Sequence, residues 1–186
     1  MRVPDEVLKA VGFLCVPHGQ DYAYRGTGFL VGVPSRAHSD ISWVHFVTAR
    51  HCVEIPRKYG QQLHLRMNRK DGGSYTTPAV APDSWAFPEN EASDVAVTPI
   101  EIDPKVMEFS VLPLERAATR ASVRENKIGP GDDLIVIGLF SEHYGTQQNL
   151  PIVRMGTLSA LPIQPLTDED DLPLTPIWRR SDPSVD

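Results

Sequence analysis

The apolar residues of this chain come in short blocks, and each block is closed off by glycine, proline, aspartate or serine. AVGFLCV occupies 10–16, GTGFLVGV occupies 26–33 and ISWVHFVT occupies 41–48. Blocks of this length, rich in β-branched and aromatic side chains and bounded by turn residues, read as strands. HGQDYAYR and PSRAHSD are the loops between them. In QQLHLRMN, 61–68, Leu63, Leu65 and Met67 alternate with polar neighbours, the pattern of a strand with one buried face. SDVAVTPI, 93–100, alternates again, with Val95 and Val97 on one face and Ala96 on the other. DDLIVIGLF at 132–140 and IVRMGTLSAL at 152–161 bring the count to about seven strands. Helix is expected for one turn at 49–54 and briefly near AATRASVRE. With 17 prolines and 13 glycines as further punctuation, and no helical runs for βαβ units, the expected class is all-β and antiparallel.

The chain divides at changes of pattern. Residues 1–100 hold the first group of strands. Residues 101–130, with Pro104, Pro113 and charges throughout, read as a connection. Residues 131–162 hold the last two strands. Residues 163–186 are acidic and proline-rich, lack periodicity, and are expected to be an irregular tail.

The net charge of −6 argues against nucleic acid as a partner, since a phosphate backbone calls for a basic face. No apolar run approaches the roughly 18 residues that span a bilayer, so no membrane association is expected. The N-terminal MRVPDEVLKAVGFLCV places Asp5 and Glu6 ahead of a short apolar run and lacks a small-residue cleavage pattern, which points to a cytoplasmic protein. Cys15 and Cys52 are then expected as free thiols that pack like small hydrophobes.

The chemistry of interest begins at VTARHCVE, 47–54. His51 follows a strand and opens a tight turn, where an imidazole can be held rigidly while facing a cleft. A histidine that serves as general base must be neutral, in one tautomer, and fixed through its other nitrogen by a partner such as a carboxylate. Asp94, at the start of DVAV, is the first candidate. Asp83, Glu91 and Asp103 are the alternatives.

GTGFLVG, then FVTARHC, then SDVAV, in that order, resemble the first half of a trypsin-like (chymotrypsin-fold) serine peptidase, of the bacterial type without disulfides. Thr48, Ala49, His51 and Cys52 match the histidine motif, Asp94 and Ala96 the aspartate motif, and Gly26, Thr27, Gly28 and Phe29 the strand before them. The resemblance covers 10–100 well and 130–160 loosely. It implies a double Greek-key β-barrel, the first barrel complete with six strands and the second partial. It also implies His51 as base and Asp94 as the residue that orients it, with an extended peptide or protein as substrate.

The family's nucleophile sits in a G-x-S-G-G segment, whose glycines let backbone N–H groups form the oxyanion hole. The template spacing puts that serine roughly 90 residues after the aspartate, in WRRSDPSVD. Ser181 and Ser184 there have no neighbouring glycine, and neither has Ser159. Ser74 follows two glycines but lies between the histidine and the aspartate. The expectation is therefore a chain truncated before its nucleophile, with a reading frame interrupted after about residue 165, and inactive alone. A second chain could complete the barrel. The alternative is a non-catalytic module that binds peptide or protein on the same scaffold.

Other chemistry is weaker in the sequence. Cys52 beside His51 could be a thiol nucleophile, but adjacent side chains diverge on most backbones. His45, Cys52 and His64 match no zinc-ligand spacing. Lys58, Arg66, Arg69 and Lys70 read as a solvated strand and turn, with His45 and His64 on solvent faces. No metal and no cofactor are expected.

Overall fold

The computed structural model describes residues 2–35, 42–139, 145–161, 166–167 and 173–174. Strand β1 (Val11–His18) is buried along its first six residues, and the main sheet is laid down on both sides of it. β2 (Asp21–Pro34), β3 (Ser42–Thr48), β4 (His64–Arg69), β5 (Ser74–Thr76) and β6 (Ala96–Pro99) give the order β5-β4-β1-β2-β3-β6. All of these neighbours are antiparallel. Two short strands from the connection join the same sheet: β7 (Met107–Glu108) pairs with β4 and β8 (Leu112–Pro113) runs parallel to β2. The class is mostly β, as the sequence indicates.

The helices are short. α1 (Asp5–Lys9) carries acids in its first turn and Lys9 in its last, matching the helix dipole. α2 (Arg50–Lys58) is longer than the single turn expected, because Pro56 lies buried inside the helix and does not end it before Lys58. α3 (Arg120–Glu125) falls where a short helix is expected, closed by a reciprocal cap between Thr119 and Ser122. Among the described residues no helix is long and apolar enough to cross a membrane. Beyond the main sheet, β9 (Asp133–Gly138) and β10 (Ile152–Thr157) form a separate hairpin. β11 (Leu166–Thr167) pairs with β12 (Pro173–Leu174), so the stretch expected to be irregular contains a short ladder.

The core collects Leu14, Val16, Leu30, Phe46, Leu65, Met67 and Ala96 from the sheet, Val53 from α2 and Trp85 from the run before β6. Burying each large apolar side chain is worth about 1.5–3 kcal/mol. Glycines make room for large core side chains from neighbouring strands. A Cβ on Gly28 would stand 2.3 Å from the Phe46 ring, and one on Gly12 would stand 2.6 Å from the Met67 sulfur.

Several sequence expectations differ from the structure. YAYR is strand and not loop: β1 turns at Gly19 (φ +64) into β2, and its side chains are only half-buried, so no clean alternation marks it. Arg25 is the extra residue of a bulge opposite Leu14 and Cys15. The alternation of SDVAVTPI holds, but the face it buries in β6 is that of Ala96 and Thr98, with Val97 half-buried and Val95, just ahead of the strand, exposed. Thr98 can be buried because its hydroxyl meets that of Ser84 at 2.9 Å. β4 is buried on both faces. His64 is 9% exposed, its Nδ1 donating to the Thr77 carbonyl at 2.8 Å. Arg66 is 4% exposed, donating to the Gly145 carbonyl at 2.9 Å and lying over Tyr24. The segment around Asn149 covers this face, bonding to Asn68 and to the Arg66 carbonyl. Neither His64 nor Arg66 is a solvent-face residue.

The ladder of the main sheet does not close, and β5 and β6 are its two ends. The run between them carries Pro78, Pro82 and Pro88, which cannot donate to a ladder. That run touches both sides through isolated bridges, Val80 to Leu63 beside β4 and Ala86 to Val97 in β6.

Candidate active site

The end of β3 fixes where α2 begins. The Thr48 hydroxyl donates to the Thr27 carbonyl of β2 at 2.9 Å, and Ala49 is extended before the helix turns in at Arg50. Gly26 lets this corner sit close to β2, since a Cβ there would stand 2.6 Å from the Cys52 sulfur. His51 therefore occupies the first turn of α2 and projects away from the sheet, with its side chain 60% exposed. Asp94 arrives from the loop that precedes β6.

The two side chains meet. His51 Nδ1 lies 2.7 Å from Asp94 Oδ2, and the His51 backbone N–H donates to Oδ1 at 3.0 Å. A carboxylate only accepts, so Nδ1 carries the proton, and in the neutral imidazole it is Nε2 that keeps the lone pair. The Arg50 backbone N–H, on the same first turn, adds to the pull on this carboxylate. Burial pushes Asp94 upward, but the His51 backbone N–H, the His51 ring and its charge, and the Arg50 N–H outweigh it. The carboxyl is held below its ordinary value. Ala49 offers no side-chain cap to α2, so Asp94 supplies from across the loop the oxygens that the first N–H groups of a helix require.

A cavity of about 420 Å³ opens beside the pair, lined by Arg50, His51 and Glu54 from α2 and by Glu91, Ala92 and Asp94 from the loop. Arg50 Nε donates to Glu54 Oε1 at 2.8 Å. Its guanidinium lies 5.1 Å from the centre of the Phe87 ring, and that of Arg57 lies 6.0 Å from it. Sequence reasoning did not find Arg50, Arg57 or Phe87. Their signal was the seven-residue spacing of two arginines along one helix face, which appears only when α2 is continued through Pro56.

The alternative carboxylates hold other positions. Asp103 accepts the Lys105 N–H at 2.8 Å, Asp83 sits in an exposed 3-10 turn, and Glu91 lines the cavity without taking the place of Asp94. Ser74 lies in β5 and Ser159 is exposed past β10. Ser181 and Ser184 lie outside the described residues. His51 meets both oxygens of Asp94, Oδ1 through its backbone N–H and Oδ2 through Nδ1.

Both cysteines are free. Burial pushes the Cys15 thiol up to about 12. Cys52 is raised by burial and then by the Asp94 charge, so the site keeps it a thiol, and a thiol is not the reactive form. Among the described residues no group of three or more His, Cys, Asp or Glu side chains is placed to hold a metal ion. No protein-family model matches this chain, and no curated protein matches its sequence.

Proposed function

We propose that the chain is a trypsin-like serine peptidase homologue, in which His51 is the general base and Asp94 orients it. The observation that carries this reading is the 2.7 Å contact between Asp94 Oδ2 and His51 Nδ1 beside an open cavity. It leaves Nε2 as the nitrogen able to take a hydroxyl proton. The fold lends support. The order β5-β4-β1-β2-β3-β6, with Val80 and Ala86 reaching the two edges, is what a six-stranded Greek-key barrel gives when prolines interrupt one strand. The β9–β10 hairpin is the start of a second barrel.

In the reaction, a serine hydroxyl placed at Nε2 would lose its proton to His51 as it attacks the peptide carbonyl. Asp94 would stabilise the imidazolium that forms, and His51 would then return the proton to the leaving amine. These 186 residues contain no G-x-S-G-G segment. The nucleophile and oxyanion hole would come from polypeptide outside them, either in continuation or from a second chain.

The test begins with the coding DNA beyond codon 186, read in all three frames. A glycine-flanked serine there, joined in frame, is expected to yield peptide hydrolysis. His51→Ala should abolish that activity, and Asp94→Asn should lower turnover by roughly 10⁴-fold. Absence of hydrolysis in the joined protein counts against the reading. The second reading, a peptide-binding module that does no chemistry, is favoured by the sequence lacking the nucleophile while the cavity beside His51 stands open. Finding no such segment would move it ahead.

A further inference from the structure

The loop that carries Asp94 is tied at its base. Ala86 and Val97 exchange backbone hydrogen bonds of 2.8 and 2.9 Å, so residues 87–96 leave and re-enter the fold at one place. Within the loop, Asn90 closes a local turn, its Oδ1 accepting the Ala92 N–H and its carbonyl the Ser93 N–H, both at 3.0 Å. Nothing in that turn sets the distance from the loop to α2. Two contacts do. One is Asp94 on the first turn of α2. The other is Phe87, the first residue past the bridge, on which Arg50 and Arg57 both lie.

Arg50 and Arg57 are seven residues apart, two helical turns, and so share one face of α2. Phe87 is half-buried and packs against the core cluster, which anchors the ring independently of the helix. Arg50 Nη1 is buried without a hydrogen-bond partner, a costly state for a cationic group. The face of the Phe87 ring is what compensates it. Arg50 is also the residue next to His51, so whatever holds its side chain holds the first turn of the helix.

We propose that Phe87 is a positioning residue for the His51–Asp94 pair: clamped by Arg50 and Arg57, it fixes the loop against α2 and sets the separation of the two side chains and the width of the cavity beside them. The inference rests on the reading of this pair as base and orienting acid. The clamp acts through Asp94 and does not touch the reacting atoms. Losing the ring frees the loop to move away from the helix and removes the group that compensates the buried Arg50 Nη1.

The experiment follows the Asp94 carboxyl carbon by ¹³C NMR through a pH titration of the 186-residue chain. In the parent, Asp94 should titrate below 3.8, its ordinary value. In Phe87→Leu its midpoint should rise by about half a pH unit as the bonds from α2 loosen. Phe87→Tyr keeps the ring and should restore the parent value. Met67→Ala, a core truncation on β4, should lower the melting temperature and leave Asp94 unmoved. A Phe87→Leu midpoint equal to the parent's, or an equal shift in Met67→Ala, overturns the positioning role and leaves the pair intact. A parent Asp94 that titrates at or above 3.8 overturns the pair itself, and the positioning role with it.

Discussion

Asp94 grips His51 twice, with Oδ2 2.7 Å from the ring Nδ1 and Oδ1 3.0 Å from the backbone N–H of the same residue. One carboxylate thus fixes the orientation of the imidazole and caps the helix that carries it. The site and the fold share this group, so removing it should register in stability as well as in any chemistry.

Because Ala49 brings no capping oxygen, Asp94→Ala should destabilise the chain by about 1 kcal/mol, the usual cost of a lost N-cap. Asp94→Asn keeps an acceptor oxygen and should cost less. Urea midpoints at neutral pH, compared at constant m-value, measure both.

The pH dependence follows from the sign of the Asp94 shift. Its folded-state value lies below the ordinary 3.8. Its contribution to stability is therefore fully present above the ordinary carboxylate range and is lost as pH falls through the lower folded value. The stability difference between parent and Asp94→Asn should shrink as pH falls below the ordinary carboxylate range. Thermal unfolding across that range checks it. A difference that grows on acidification contradicts the assigned direction.

Gly28→Ala should cost about 1–3 kcal/mol, as overpacking does, since the new methyl would meet both the Phe46 ring and the Val47 carbonyl. Gly156→Ala on β10 meets no atom within 4 Å and should be close to neutral. The paired denaturation curves separate a packing requirement from a general effect of replacing glycine in a strand.

The thiols give a chemical readout of the same corner. Cys15, pushed up to about 12, should not react with a thiol-exchange reagent at pH 8 while the chain is folded. Cys52, half-buried and raised by burial and by Asp94, should react slowly. In denaturant both should react at the rate of an ordinary cysteine. Rapid labelling of Cys52 in the folded chain would point to a thiolate beside His51.

Hydrogen exchange should divide the chain. Residues 11–16 of β1 are all buried between two neighbours and should exchange most slowly. The β9–β10 hairpin contains no fully buried residue, and a two-stranded hairpin is marginal by itself, so its amides should exchange quickly. Strong protection there would mean that its faces are covered in solution.

Local patterns revealed the parts of this structure whose cause is local. A strand entering a turn at His51 and an aspartate at the start of DVAV are visible as short motifs, and the structure brings the two together. Longer-range causes were not legible. Val95 and Val97 have the hydrophobicity of core residues, yet Ala96 and Thr98 are buried because Ser84 satisfies the threonine hydroxyl. His64 and Arg66 sit in an alternating pattern that promises solvent, but His64 turns to the Thr77 carbonyl and a segment some 80 residues away covers Arg66. The cap that Asp94 places on α2 spans 43 residues. The Phe87 contact appears only once the length of α2 is known.

The measurement that bears most directly on the account is the protonation of the two His51 ring nitrogens, read by ¹⁵N NMR at pH 8.5, well above the ordinary histidine range near 6.5. The account predicts a proton on Nδ1, a bare lone pair on Nε2, and loss of that tautomer preference in Asp94→Ala. A proton on Nε2 would leave His51 unable to accept one from a hydroxyl and would contradict its assignment as a general base.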